Sequence, residues 1–137
     1  MTKTHDSQVE SILLDSDFIL SMMIEVDSNH ERAVSLAKQY NSVKYSMLKV
    51  VKYEAVTVMS RKFSQEMAVQ LVQRLDESEI QLLDIDLKDE REVWSIFTSY
   101  VKKNISFIDC ANLYFAQKLE YKIASFDVFY PEEYLLN

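Results

Sequence analysis

SILLDSDFIL (11–20) is the stretch on which the reading of this chain turns. Its opening, SILLD (11–15), has the length and apolar content of a short buried strand, and it runs directly into an apolar helix around Phe18 to Ile24. Two carboxylates, Asp15 and Asp17, interrupt the run. Burying an ionised carboxylate without a partner costs many kcal/mol, so either the run surfaces at the acid pair or something compensates the charge.

Outward from this stretch, the strand-then-helix alternation repeats. Ser28 and Glu31 stand three apart, as in a capping box, for a helix through about Tyr40. VKYS (43–46) is a second strand candidate, and MLKVVKYEAVTVMSRK (47–62) carries helical apolar spacing to about Arg61. A further helix spans about Ser64 to Glu77. IQLLDI (80–85) reads as a strand, after which Asp86 and Asp89 are placed to cap LKDEREVWSIFTSYVKK (87–103). Ser106 then opens the helix FIDCANLYFAQKLE (107–120), and YKIASF (121–126) is a strand ending at Asp127. Strands alternating with long helices predict an α/β class, with a parallel sheet covered on both faces. Ligands bind outside the carboxyl ends of such strands, and Asp15 and Asp127 both fall there.

Composition narrows the chemistry. The chain has 137 residues, 48% of them hydrophobic, which predicts one domain over 1–137. No apolar run approaches the roughly 20 residues of a membrane span, and MTKTHDSQVE has no signal-peptide hydrophobic region, so the expectation is a cytoplasmic protein with no membrane partner. The single cysteine, Cys110, cannot form an internal disulfide, and the two histidines, His5 and His30, cannot build a multi-His or Cys/His zinc site. His30 reads as an exposed residue at the start of a helix. There is no glycine; Walker A loops and dinucleotide fingerprints need glycine, so those nucleotide sites are excluded, and turns must rest on Asn, Asp and Ser. A net charge of −7 is the wrong sign for a nonspecific nucleic-acid coat. Removing four acids to a metal site leaves −3, however, and a local basic rim can still steer RNA.

Four acids are candidates for a shared site, each with a structural alternative. Asp15 closes the first strand, although either Asp15 or Asp17 also suits the N-cap of the following helix. Glu54 has Val50, Val51 and Val58 as its helical neighbours and therefore points from an apolar face; a salt bridge to a lysine is the alternative. Asp109, three residues after Ser106, completes a capping box, and a helix N-terminus also holds such a carboxylate ionised and oriented. Asp127 either joins the site or starts a turn. Clustered carboxylates raise one another's pKa unless a cation is bound, and all-oxygen ligands favour Mg²⁺ or Mn²⁺.

With those residues in view, the chain resembles PIN-domain ribonucleases, and among them the small VapC-type toxins. ILLDSDFIL (12–20) resembles the family's opening strand and acidic turn, KYEAVTV (52–58) its helix with an inward glutamate, and SFIDCANLYFAQKLEYKIASFD (106–127) its late acidic block. The resemblance implies a three-layer α/β/α PIN-like fold with a central, mainly parallel sheet of about five strands. It implies a catalytic and metal-ligating quartet of Asp15, Glu54, Asp109 and Asp127, supported by Ser106 and Asp17. It further implies Mg²⁺- or Mn²⁺-dependent endoribonuclease activity on single-stranded or structured RNA, homodimerisation, and neutralisation by a small antitoxin protein. One departure is the glycine-free junction LEYKIASFD (119–127). Lys44, Lys49, Lys52, Arg61 and Lys62 are candidate phosphate contacts or a solvated surface; Tyr53, Tyr114 and Phe115 are candidate stacking residues, or core and interface aromatics.

Two rivals remain. DSD after an apolar strand also resembles haloacid-dehalogenase-type phosphatases, with Asp15 as nucleophile and Asp17 as acid/base, although Ile19 stands where that family prefers Thr or Val and the chain is short for a capped fold. The other rival is a non-catalytic PIN-like module that binds RNA or protein; four retained acids weigh against it.

Overall fold

A computed structural model describes residues 9–137; His5 lies outside the described residues. Strand β1 (Ser11–Leu14) leads into α1 (Ser16–Met23) and α2 (His30–Gln39), then β2 (Lys44–Leu48), α3 (Lys49–Lys62) and α4 (Gln65–Glu77). After β3 (Gln81–Leu83) come α5 (Leu87–Ser99), α6 (Phe107–Leu119), β4 (Lys122–Ala124) and a 3-10 turn at Glu132–Tyr134. The four strands form one sheet in the order β3-β2-β1-β4, with every pairing parallel.

This order follows from chain direction. From β1 the chain steps outward to β2 and β3, then returns past its start so that β4 lies on the free side of β1. Right-handed crossovers therefore place α1 to α4 on one face of the sheet and α5 and α6 on the other, in agreement with the packing of α1 on α3, α3 on α4, and α5 on α6. Buried between both layers, β1 reads as a continuous apolar run: Ile12 and Leu13 are wholly inaccessible and Leu14 nearly so. Each such side chain contributes about 1.5–3 kcal/mol of burial. Met47 and Leu48 of β2, Val51, Ala55 and Met59 of α3, and Cys110 and Ala111 of α6 complete the surrounding core.

The structure departs from expectation at several points. The sheet has four strands among the described residues, and the fifth is reduced to a single parallel bridge between Ile123 and Leu135. Pro131 and the 3-10 turn occupy the residues just before it, so only Leu136 N–H reaches the edge, donating to Ile123 O at 2.9 Å. β2 extends to Leu48, where helix was expected from Met47, because Met47 and Leu48 pair with Leu82 and Leu83 of β3. Helix α5 stops at Ser99, short of Lys103; Tyr100 turns out extended and packs its ring against Phe129. β4 ends at Ala124, which leaves Asp127 in the loop beyond the strand.

The Ser28–Glu31 capping box does not form. Asn29 is the N-cap residue and makes no side-chain cap; instead Asp27 Oδ1 accepts from Asn29 N–H at 2.8 Å and from the Ser21 hydroxyl at 3.1 Å. His30 is half-buried rather than exposed, with Nδ1 2.8 Å from Ser21 O.

The missing glycine leaves its mark at one helix end. Glu120 closes α6 in the left-handed region, at φ 60° and ψ 43°, a conformation that glycine adopts without a Cβ penalty. Tyr121 N–H then returns to Ala116 O at 3.0 Å, and the chain enters β4 in register with β1.

Candidate active site

The site lies where the strand order reverses, between the carboxyl ends of β1 and β4. Asp15 follows the last residue of β1 and caps α1, with its backbone N–H bonded to Ala124 O across the strand pair at 3.1 Å. The residue is 5% exposed, and both of its carboxylate oxygens accept hydrogen bonds. Oδ1 accepts from Ser16 N–H at 2.8 Å and Asn112 Nδ2 at 3.1 Å; Oδ2 accepts from the Ser125 and Tyr130 hydroxyls, each at 3.0 Å. Burial pushes the Asp15 carboxyl above its ordinary range, the bonds from Ser16, Ser125 and Tyr130 oppose that rise, and the charge of Glu54 adds to it.

Asp17 is not a helix cap. Its Oδ2 accepts from Phe126 N–H at 3.0 Å and lies 3.2 Å from the Ser125 hydroxyl, whose single proton it shares with Asp15, so it ties the start of α1 to the loop after β4. The ring of Phe126 stacks on Phe18 at 5.7 Å and lies under the Arg32 guanidinium at 5.2 Å, which fixes this loop. Asp17 Oδ1 is buried without a hydrogen-bond partner among the described residues. Burial, reinforced by the charge of Asp15, pushes the Asp17 carboxyl up to about 7.

The remaining acids arrive from three further segments. Glu54 projects from α3, and its Oε1 accepts from the Ser16 hydroxyl at 2.7 Å, so its partner is a serine rather than the lysine of the salt-bridge alternative. Asp109 and Ser106 form the reciprocal capping box of α6, at 3.0 and 3.1 Å. Burial raises the Asp109 carboxyl, Ser106 opposes the rise, and Asp127 and Asp15 add to it. Asp127 N–H donates to the Ser125 hydroxyl oxygen at 3.0 Å, and Asp127 closes its own turn by accepting Phe129 N–H on Oδ1 at 3.0 Å. The structure thus brings Asp15, Asp17, Glu54, Asp109 and Asp127 into one electrostatic neighbourhood: Ser16 joins Asp15 to Glu54, Ser125 joins Asp15, Asp17 and Asp127, and Asp109 feels the charges of Asp15 and Asp127.

Among the described residues, no three acids, histidines or cysteines converge closely enough to cage an ion by themselves. The donor set is nevertheless all carboxylate oxygen; burial, with added repulsion from neighbouring carboxylates, lifts Asp15, Asp17 and Asp109, and a cation relieves that repulsion. Such residues fit a Mg²⁺- or Mn²⁺-like ion that takes one or two carboxylates and keeps several waters, and do not fit an all-protein cage.

Sequence reasoning missed Ser16, Asn112, Ser125 and Tyr130. Asn112, wholly buried within an apolar helical stretch, was the one visible signal. Several proposed substrate contacts are otherwise engaged. Lys49 pairs with Asp84 at 2.9 Å and Lys52 with Asp76 at 3.3 Å. Tyr114 donates to Asp89 at 2.8 Å, and Phe115 is buried. Lys44, Arg61, Lys62 and Tyr53 are exposed.

Comparison with known proteins agrees with this fold. The family model described as PIN domain matches residues 12–128. The crystal structure of VapC20 from Mycobacterium tuberculosis, a Sarcin-Ricin loop cleaving toxin, superposes with a TM-score of 0.75 at 18% identity, covering 85% of this chain and 89% of that one. VapBC2 from Rickettsia felis, bound to a DNA fragment from their promoter, gives a TM-score of 0.59 at 10% identity over 86% of this chain and 89% of that one. Among curated proteins, none matches by sequence.

Proposed function

This chain belongs to the PIN-domain family, and on that premise we propose that it is a Mg²⁺- or Mn²⁺-dependent endoribonuclease of the VapC type, the toxin of a toxin–antitoxin pair. The observation that carries the reading is the gathering of acids at the β1–β4 switch, with Asp15, Asp17 and Asp109 each lifted by burial and, to a lesser degree, by the charge of neighbouring acids. That much like charge in one place has no use in a passive binding surface.

In this reading Asp15, Glu54, Asp109 and Asp127 hold the ion, directly or through water, with Ser106 and Asp17 in support. A bound divalent ion supplies Lewis acidity toward a phosphate oxygen and toward water. The chain's own part is orientation. Ser16 fixes the Glu54 carboxylate, Ser106 fixes Asp109, and Ser125 gathers Asp15, Asp17 and the backbone of Asp127 on one hydroxyl. Arg32, seated over Phe126 beside this loop, offers a phosphate contact that does not depend on the ion-paired Lys49 and Lys52. The VapC20 likeness supports an RNA substrate, and the VapBC2 likeness supports a protein partner of the antitoxin kind. Exposed Tyr53, Leu87 and Trp94 offer apolar surface to a second copy in a homodimer.

The test is cleavage of single-stranded RNA by the purified chain with Mn²⁺, with EDTA, and as Asp109→Asn. We expect cutting in the first case only. Intact RNA in every lane, from folded and inhibitor-free protein, refutes the nuclease and leaves the non-catalytic module.

A further inference from the structure

Asn112 and Tyr130 stand outside the acid quartet, and their geometry is unusual. Asn112 lies within α6, wholly buried, and Tyr130 follows the turn made by Asp127, 3% exposed. Asn112 Nδ2 donates twice, to Asp15 Oδ1 and to the Tyr130 hydroxyl, both at 3.1 Å. The Tyr130 hydroxyl, holding one proton, passes it to Asp15 Oδ2 at 3.0 Å. The two side chains therefore close a ring around Asp15, one donor on each carboxylate oxygen.

The arrangement carries a cost that packing alone does not explain. Asn112 Oδ1 is buried and has no hydrogen-bond partner among the described residues, and an unsatisfied buried carbonyl oxygen is unfavourable. A leucine at this helical position fills similar volume with no such penalty. The amide is also set in one sense: rotated by 180°, its oxygen faces Asp15 Oδ1, acceptor against acceptor. Tyr130 is similarly committed, because its ring already packs against Phe129 at 5.2 Å and against Leu113, Ala116 and Ile123, so that phenylalanine satisfies the core equally well. The hydroxyl serves only Asp15 and Asn112.

We propose that Asn112 and Tyr130 are positioning residues, a buried clamp that fixes the plane of the Asp15 carboxylate so that it faces the divalent-cation site in one orientation. This inference rests on the nuclease reading above. Groups that orient a metal-binding side chain typically govern affinity as strongly as about 10–100-fold.

The experiment measures Mn²⁺ binding by calorimetry on the full chain as wild type, Tyr130→Phe and Asn112→Leu, with Tyr134→Phe as a control on the nearby 3-10 turn, beside thermal melts and RNA cleavage kinetics. Tyr130→Phe is expected to melt within a few degrees of wild type, to weaken Mn²⁺ binding about tenfold or more at unchanged stoichiometry, and to lower kcat with little change in KM for RNA. A merely structural role instead reduces the number of binding-competent molecules and leaves the Mn²⁺ dissociation constant of the remainder unchanged. Wild-type Mn²⁺ affinity and kcat in both Tyr130→Phe and Asn112→Leu overturn the clamp while the nuclease stands. A wild-type chain that neither binds Mn²⁺ nor cuts RNA overturns the nuclease reading, and the clamp with it.

Discussion

Replacing Asp17 by asparagine removes one negative charge from the acid cluster and keeps its shape. The amide oxygen still accepts from Phe126 N–H and the Ser125 hydroxyl, the two bonds that the carboxylate makes now. What changes is titration. The folded protein holds a proton on Asp17 up to about pH 7, against an ordinary value of 3.8. Between about pH 4 and pH 7 the folded state therefore binds more protons than the unfolded chain, and wild-type stability falls as pH rises through that window. At 1.36 kcal/mol per tenfold change in acidity, the full effect is about 4 kcal/mol. Partial solvent access and the favourable position of an anion in the first turn of α1 reduce the expected gain for Asp17→Asn to roughly 2 kcal/mol at pH 8. Urea denaturation in EDTA reads this directly: the variant should be the more stable protein at pH 8 and match wild type below about pH 4. Adding Mn²⁺ should narrow the gap at pH 8, since a cation then offsets the repulsion in the wild type. A difference that does not vary with pH, or an asparagine variant that is less stable at pH 8, refutes the claim that Asp17 is a strained anion.

Two further outcomes are expected. Glu120→Gly should raise stability by about 1 kcal/mol, measured by chemical denaturation, because the residue sits at φ 60°, where a Cβ is unfavourable. Asp89→Asn should lower the denaturation midpoint at pH 7: Asp89 is buried, accepts from Tyr114 and Lys118 at 2.8 Å each, and is held below the usual carboxylate range by Lys118. A depressed folded pKa stabilises above the unfolded value and is lost as pH falls, so wild type and variant should converge in acid below about pH 4.

The legible part of this protein was the local part. Asp15 was readable because it terminates an apolar strand, and the Ser106–Asp109 box because its two members are three residues apart and bond only to each other's backbone. Where two local signals competed, the reading failed: Asp27 offered Asn29 N–H an acceptor, and the Ser28–Glu31 pair lost. Met47 and Leu48 satisfied a helical pattern, yet pairing to β3 outweighed it. The supporting residues of the site were beyond reach for a different reason. Asn112, Ser125 and Tyr130 meet Asp15 across 97, 110 and 115 positions, and no periodicity encodes a hydrogen bond over such a span. Tyr130 in particular reads as an ordinary core aromatic until the strand order is known.

That strand order also sets a schedule. β4 is the last strand made, and it docks beside the first, with Ser125 reaching Asp15 across 110 positions. During synthesis the segments carrying Asp15, Glu54 and Asp109 leave the ribosome before Ser125 and Asp127 do, and contacts of such long range form late and slowly. The growing chain consequently carries scattered acids and no assembled cluster until residues 122–127 have emerged and paired. An enzyme of the proposed kind, made by a machine built of RNA, is in this way incomplete until that docking is done.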